Sequence, residues 1–179
     1  MKNRVEKHFD TINIYVNFKV NSSKIGKIFL TILILLLLSV LVYLIATLEK
    51  EEISSSIFPI IIITALIILF PLRYLIWNIY GQERLIINTK SISYFYDYGL
   101  IKTNLKTINF SQLATEIEFV REFETVEVGR IIFYNYREID NLPEEIHRTS
   151  VLIDLDELKN IVDDIDNLFI KNQTLFSKN

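Results

Sequence analysis

The sequence predicts a membrane protein of mixed α+β class, in which a transmembrane helical hairpin is joined to an antiparallel β domain that a C-terminal amphipathic helix closes. Two long uncharged runs, residues 28–48 and 57–72, predict the hairpin. Alternation of apolar and polar residues after Gly81 predicts the strands, and apolar residues at helical spacing from Leu155 predict the closing helix. The predicted divisions are a basic N-terminal segment 1–24, the hairpin 25–80 and the β domain 81–179.

The two apolar runs are long enough to cross a bilayer, whose hydrocarbon core takes about 20 helical residues. Residues 28–48 suffice alone, and the second span is predicted at 57–80, with Arg73 as its only charge and Pro71 as a source of a kink. A pair of buried core helices is disfavoured because the remaining chain is too small to cover both. A cleaved signal peptide is disfavoured because the first run exceeds roughly 7–15 residues.

The charges flanking the apolar runs predict their orientation. The connection Glu49–Ser56 holds one lysine and three glutamates, whereas Lys and Arg cluster before the first run and after the second. Because Lys and Arg favour the cytoplasmic side, both termini are predicted there. Six residues are predicted to anchor the spans at the inner leaflet, with the basic ones able to attract anionic headgroups: Lys24, Lys27, Arg73, Trp77, Tyr80 and Arg84.

A strand is also predicted before the hairpin. Residues 11–20 alternate strictly between apolar and polar side chains, which is typical of a half-buried strand. A lone strand needs a partner. We therefore expect this segment to pair with an edge of the sheet that follows the hairpin, so that the hairpin interrupts one domain.

The β domain is predicted as a series of antiparallel strands and one helix. The stretch 137–147 is predicted to be a polar loop, because Pro143 is unfavourable in a central strand. The closing helix is predicted at about 155–172, with Asp154 as its N-cap and Glu157 three residues later. The predicted strands are 84–88, 92–97, 101–110, 115–121, 127–136 and 149–154.

Residue types that carry catalysis or metal binding are sparse. The four glycines are far apart, which excludes a phosphate-cradling loop, and the absence of cysteine excludes thiolate metal sites. His8 and His147 lack neighbouring ligands, and a solvated loop histidine is favoured over a His–Asp dyad for His147. The acidic stretch 154–166 has Lys159 where a calcium loop needs glycine, so a solvated helix face is favoured. No catalytic residue, cofactor or metal is predicted.

The charge of the β domain argues against nucleic acid as its partner, since residues 80–179 hold eleven Lys and Arg against seventeen Asp and Glu. The stretch 93–99, SYFYDYG, is rich in aromatic residues but lacks arginines between them. A hairpin core with a membrane-facing rim is therefore favoured over a platform for stacked bases. Its three tyrosines share one face of a regular strand, and Phe95 lies on the other.

The order of elements, with the junction YGQERLIINTKSIS between hairpin and strands, resembles small bacterial membrane proteins with a pleckstrin-homology-like (PH-like) cytoplasmic domain, the YcxB-like group. The resemblance covers most of the chain. It implies a bent antiparallel, barrel-like sheet capped by a helix, located at the inner (cytoplasmic) membrane. The chain departs from eukaryotic relatives in lacking a tryptophan in the closing helix, and its first hairpin has only Lys90 as a basic residue, which argues against phosphoinositide-type headgroup binding.

The sequence therefore predicts a non-enzymatic inner-membrane protein that presents a PH-like domain to the cytoplasm for interaction with a protein partner or for oligomerisation. The lipid bilayer and a protein are the expected partners. One alternative is an immunity or inhibitor protein against a membrane-acting toxin, suggested by the small size and acidic β domain. A further alternative is a small oligomeric transporter or channel subunit, for which two helices alone provide a poor pathway.

Overall fold

The computed structural model describes residues 5–48, 53–123, 125–137 and 139–176. The α+β class is confirmed, with apolar helices, two antiparallel sheets and a C-terminal helix. The chain forms two compact units. The β unit contains the described residues up to Val20 and from Gly81 onward, and the helical unit is Asn21–Tyr80.

The helical unit consists of α1 (Lys24–Thr47), α2 (Ile53–Ile67), a π-helical turn (Ile68–Leu72) and α3 (Arg73–Tyr80). The last three follow one another without a break, and α1 packs against each of them. Pro71 lies inside the π-helical turn, where its missing N–H and its ring are accommodated by the wider winding. The predicted connection Glu49–Ser56 lies partly outside the described residues.

The first sheet combines strands from both sides of the helical unit. It contains β1 (Val5–Phe9), β2 (Ile14–Lys19), β3 (Gln82–Ile87), β4 (Ser91–Asp97) and β5 (Lys106–Asn109), in that order and all antiparallel. The register of β2 on β3 runs from Ile14 opposite Ile87 to Lys19 opposite Gln82. The hypothesis that the N-terminal strand joins the sheet after the hairpin is therefore confirmed.

Side-chain alternation explains the pairing of β2 with β3. Ile14, Val16 and Phe18 in β2, and Leu85 and Ile87 in β3, are buried, while the residues between them are half-buried. A shift of one residue would move each set to the other face of the sheet, so the apolar pattern fixes the register.

The strand β1 was not predicted, and a tight turn places it beside β2. The carboxylate of Asp10 accepts hydrogen bonds from the backbone N–H groups of Ile12 and Asn13 at 2.8 and 2.7 Å. The predicted strand 11–20 therefore begins only at Ile14, because its first residues form this turn.

The second sheet contains β6 (Leu113–Phe123), β7 (Val126–Tyr136), β8 (Pro143–Arg148) and β9 (Ile153–Asp154). The order is β6-β7-β8, and β9 also pairs with β7. The glycine of β7, Gly129, is required by packing, since a Cβ there would lie 2.4 Å from the backbone oxygen of Glu118 and 2.7 Å from Leu155.

Three sequence predictions for the strands were wrong in extent. The stretch 137–147 contains most of β8, and Pro143 is tolerated because it is the first residue of a strand at the end of the sheet order. Of 149–154, only Ile153 and Asp154 form a strand. The strand predicted at 101–110 begins at Lys106, because Thr103 folds back onto Tyr96 through two hydrogen bonds of 2.9 Å.

The closing helix α4 (Leu155–Phe176) packs on strands of both sheets, namely β2 of the first and β6, β7 and β9 of the second. Its start agrees with the prediction, since the Asp154 carboxylate accepts the N–H of Asp156 at 2.9 Å. The predicted apolar stripe faces the core, where Leu158, Ile161 and Ile165 are fully or almost fully buried.

Candidate functional site

Most apolar side chains described in the helical unit are exposed or half-buried. Two helical stretches, Lys24–Thr47 and Ser56–Tyr80, are long and apolar enough to cross a membrane. Only 11% of the most apolar part of the first and 6% of the second are buried, whereas a core helix of a soluble protein would be mostly buried. In α1 the buried residues are Ile34 and Leu41, which are two turns apart and share one face.

Hydroxyl groups within these helices donate to carbonyl oxygens of their own helix. Thr31 Oγ1 donates to Lys27 O at 2.8 Å, Ser39 Oγ to Leu36 O at 2.8 Å, and Thr64 Oγ1 to Ile60 O at 2.8 Å. Asn78 Nδ2 likewise donates to Tyr74 O at 2.8 Å. These polar groups therefore need no water as a partner, which is the condition that a hydrocarbon solvent imposes.

Five of the six predicted anchoring residues lie in the helical unit. Lys24 is the first residue of α1 and is exposed, and Lys27 is half-buried one turn later. Arg73, Trp77 and Tyr80 belong to α3, and their spacing of four and three places them on one face of that helix. The structure thus gathers two groups of these residues, one at the start of α1 and one along α3.

Arg84 differs from the other predicted anchors because it belongs to β3 and has partners within the β unit. Its Nη2 lies 3.3 Å from Asp97 Oδ2, and its guanidinium carbon lies 5.7 Å from the centre of the Phe95 ring. Lys102 Nζ lies 3.7 Å from the same Asp97 oxygen. Arg84 therefore balances a buried carboxylate, and its side chain remains 41% exposed.

The β unit contains a buried carboxylate that the sequence prediction missed. Glu83 lies on β3 in phase with Leu85 and Ile87, and its side chain is fully buried. Its Oε2 accepts the backbone N–H groups of Ser150 at 2.6 Å and Val151 at 3.2 Å. A third polar group also contacts this carboxylate, since His147 Nε2 lies 3.0 Å from Oε1.

His147 is also buried, which contradicts its prediction as a solvated loop residue. It lies on β8 with a side-chain exposure of 4%, and its ring stacks on Tyr94 with centroids 3.9 Å apart. On its other side the Phe133 ring lies 6.0 Å away. The histidine is buried because the second sheet packs it against the tyrosine face of β4, a contact between residues distant in sequence.

The Glu83–His147 pair joins the two sheets. Glu83 and Tyr94 come from the first sheet, whereas His147 and Phe133 come from the second. Tyr96 adds a further connection, since its hydroxyl lies 3.1 Å from Ser150 Oγ, and burial raises the pKa of that tyrosine. A carboxylate enclosed in this way is satisfied by protein groups and is closed to solvent, so the arrangement stabilises the fold.

Acidic residues of the closing helix contact lysines or solvent. Lys7 pairs with Asp164, and Lys159 Nζ lies 3.0 Å from Asp156 Oδ1. Asp163 and Asp166 are exposed. Among the residues that the structure describes, no group of three or more His, Asp or Glu side chains is placed to hold a metal ion.

The missed residue Glu83 has a signal in the sequence, because strand alternation places it on the apolar face of β3. His147 has no such local signal. Comparison with known proteins adds no assignment: no protein-family model matches the sequence, and no curated protein matches it significantly.

Proposed function

We propose that this chain is an integral protein of the inner membrane whose helical hairpin anchors a PH-like β unit at the cytoplasmic face, where that unit binds a protein partner or a second copy of the chain. The observation that carries the proposal is the combination of two exposed apolar helices with hydroxyl groups bonded within their own helices. Apolar surface of this extent is stable in lipid and aggregates in water.

The PH-like assignment is supported by the arrangement of the β unit. Two antiparallel sheets and a C-terminal helix that packs on strands of both are compatible with the helix-capped antiparallel fold that the resemblance to the YcxB-like group implies. The hairpin is inserted between paired strands, since β2 precedes it and β3 follows it. Such an insertion couples the fold of the β unit to an anchor without a separate linker domain.

Lys and Arg placement supports the cytoplasmic orientation. Residues 1–27 carry six basic and two acidic side chains, and the connection Glu49–Ser56 carries one lysine and three glutamates. In this orientation, Arg73, Trp77 and Tyr80 lie at the inner boundary of the bilayer, where a long basic side chain and amphipathic rings are favourable.

The edge strand β6 is the surface that we assign to protein binding. It pairs with β7 on one side, and no strand pairs with its other side among the described residues. A groove at residues 111–115, where β6 begins, is lined on the helix side by Ile165, Asp166, Phe169 and Ile170. Phe119 on the same strand is 55% exposed. An unpaired edge next to a groove with apolar residues on its helix side suits an added strand with a partly apolar side-chain pattern.

Crosslinking in cells tests this surface. The tagged full-length chain should give a defined adduct, with a partner or with itself, that mass spectrometry identifies. Phe119→Asp places a charge on β6 and should abolish the adduct, whereas Ile139→Asp changes a fully exposed residue of the β7–β8 loop and should preserve it. A wild-type chain without any adduct, or loss that is equal in both variants, would contradict the proposal.

A further inference from the structure

The turn that follows β4 exposes two aliphatic side chains in a fixed conformation. Leu100 is 86% exposed and Ile101 is 72% exposed. The N–H of Tyr98 donates to Ile101 O at 2.8 Å, and the N–H of Gly99 donates to Asp97 Oδ1 at 2.9 Å. Gly99 has a φ of 87°, which glycine adopts without strain. The exposure therefore belongs to an ordered turn.

Strand register places this turn at the end of the sheet from which the chain enters and leaves the helical unit. Gln82, the first residue of β3, pairs with Asp97 on one side and with Lys19 on the other. The N–H of Val20 donates to Gly81 O at 2.9 Å. The other turn of the same strand pair, at Lys90, lies at the opposite end of the sheet.

The turn extends past the residue at which β3 begins. A single residue, Gly81, separates α3 from β3. Leu100 is three residues beyond Asp97, which corresponds to at most about 10 Å along a strand. The polar headgroup layer on each side of a bilayer is about 5–7 Å thick. The turn therefore extends beyond the end of β3 that follows the helical unit in the chain, by a length comparable to the depth of the headgroup layer.

Charge around the turn favours an anionic surface. Arg84 and Lys102 share the single carboxylate of Asp97, at 3.3 and 3.7 Å, so the cluster keeps one positive charge in excess. Lys102 follows Ile101 directly and its side chain is 60% exposed. Aliphatic side chains beside exposed cations are the combination that inserts into the interface of a membrane with anionic lipids.

We propose that the turn Tyr98–Ile101 is a membrane-contacting element of the β unit, with Leu100 and Ile101 inserted into the headgroup region of anionic lipids. The inference rests on the proposed function, since it requires a membrane anchor. It adds a second attachment, because the β unit is then held by the helices and by its own turn. Contact with lipid restricts the orientation of the unit, and the turn and the edge strand β6 are separate segments of the chain.

Single-cysteine variants of the full-length chain test this contact, because the natural sequence has no cysteine. Leu100→Cys probes the turn, Lys90→Cys is the matched control at the opposite turn of the same strands, and Ile32→Cys probes α1. Each is labelled with a polarity-sensitive fluorophore and reconstituted in phosphatidylcholine vesicles with or without phosphatidylserine. Lipids carrying a quencher in their headgroup region or acyl chains report contact of the probe with lipid.

We expect quenching at positions 32 and 100 and none at position 90. Removal of phosphatidylserine should weaken quenching at position 100 and leave position 32 unchanged. Quenching at position 32 with none at position 100 would overturn the contact of the turn with lipid, while the membrane anchor would stand. A probe at position 100 whose emission is shifted but not quenched would also overturn that contact and would indicate that a protein covers the turn. Absence of quenching at position 32 would overturn the anchor itself. Quenching at position 100 that is equal in both vesicles would overturn the role of charge.

Discussion

Replacement of Glu83 by glutamine should destabilise the β unit without altering its shape. The carboxylate offers two oxygens to three polar groups: His147 Nε2 at 3.0 Å, and the N–H groups of Ser150 at 2.6 Å and Val151 at 3.2 Å. A glutamine side chain keeps one acceptor oxygen, which can still accept both backbone N–H groups, and places an NH2 group beside His147 Nε2. The remaining hydrogen bonds then lose the negative charge of the carboxylate and are weaker.

The magnitude follows from the burial of both partners. Hydrogen bonds to a charged group contribute about 1.5–3 kcal/mol, roughly twice as much as those between neutral groups. We expect a decrease of about 1.5–3 kcal/mol in the free energy of unfolding of Glu83→Gln. His147→Phe keeps a ring against Tyr94 and loses one hydrogen bond to a charged group, so about 1.5–3 kcal/mol is expected.

The assay is pulse proteolysis of the detergent-solubilised full-length chain across a urea series, with the intact β unit as readout. The matched control is Glu127→Gln, an exposed glutamate of β7, which should change stability by less than about 0.5 kcal/mol. The decrease in the free energy of unfolding of the double variant should be smaller than the sum of the decreases of the two single variants, since both single variants remove the same contact. Equal urea midpoints for Glu83→Gln and Glu127→Gln, or strictly additive losses, would refute this explanation of the pair.

Three further predictions concern packing and titration in the β unit. Gly129→Ala should lower the free energy of unfolding by about 1–3 kcal/mol in the same urea assay, because its Cβ would collide with the Glu118 carbonyl. An unchanged free energy of unfolding would show that β6 can move away from the added Cβ at no cost in stability. Ile161→Ala should lower the free energy of unfolding by about 2–5 kcal/mol, while Asp163→Ala on the exposed face of α4 should leave it nearly unchanged. Comparable losses of stability in the two variants would contradict the assignment of the core face of α4. Hydrogen bonds from the N–H of Ile12 and from Asn13 lower the pKa of Asp10 to about 2 from its ordinary 3.8. The contribution of this turn is therefore complete above pH 3.8 and is lost as the pH falls through about 2; NMR titration of the carboxyl carbon should show this, and an unshifted value would contradict the turn geometry.

Sequence patterns predicted the elements whose fold is determined locally. Uncharged runs are sufficient to define α1 and the longer second helical stretch, because a segment that is apolar on all sides has few stable conformations other than a helix. Strict alternation in 11–20 predicted the β2 segment, and its need for a partner led to the pairing with β3. The stripe from Leu155, together with Asp154 as cap, predicted the start and core face of α4.

Features that depend on contacts between distant segments were not predictable in the same way. Glu83 and His147 are 64 residues apart, and their pairing exists only because two sheets meet. The strand β8 begins at a proline that is unfavourable in a sheet interior and acceptable at an edge, a distinction that requires the sheet order. The shortening of the 101–110 strand depends on the contact of Thr103 with Tyr96.

The most direct test of the central claim is the sidedness of two introduced cysteines in intact cells. Lys50→Cys lies in the connection between the apolar helices, and Ile139→Cys lies in a fully exposed loop of the β unit. A membrane-impermeant maleimide should label position 50 in intact cells and position 139 only after the inner membrane is permeabilised. Labelling of position 139 in intact cells, or protection of both positions until permeabilisation, would contradict a two-span anchor with a cytoplasmic β unit.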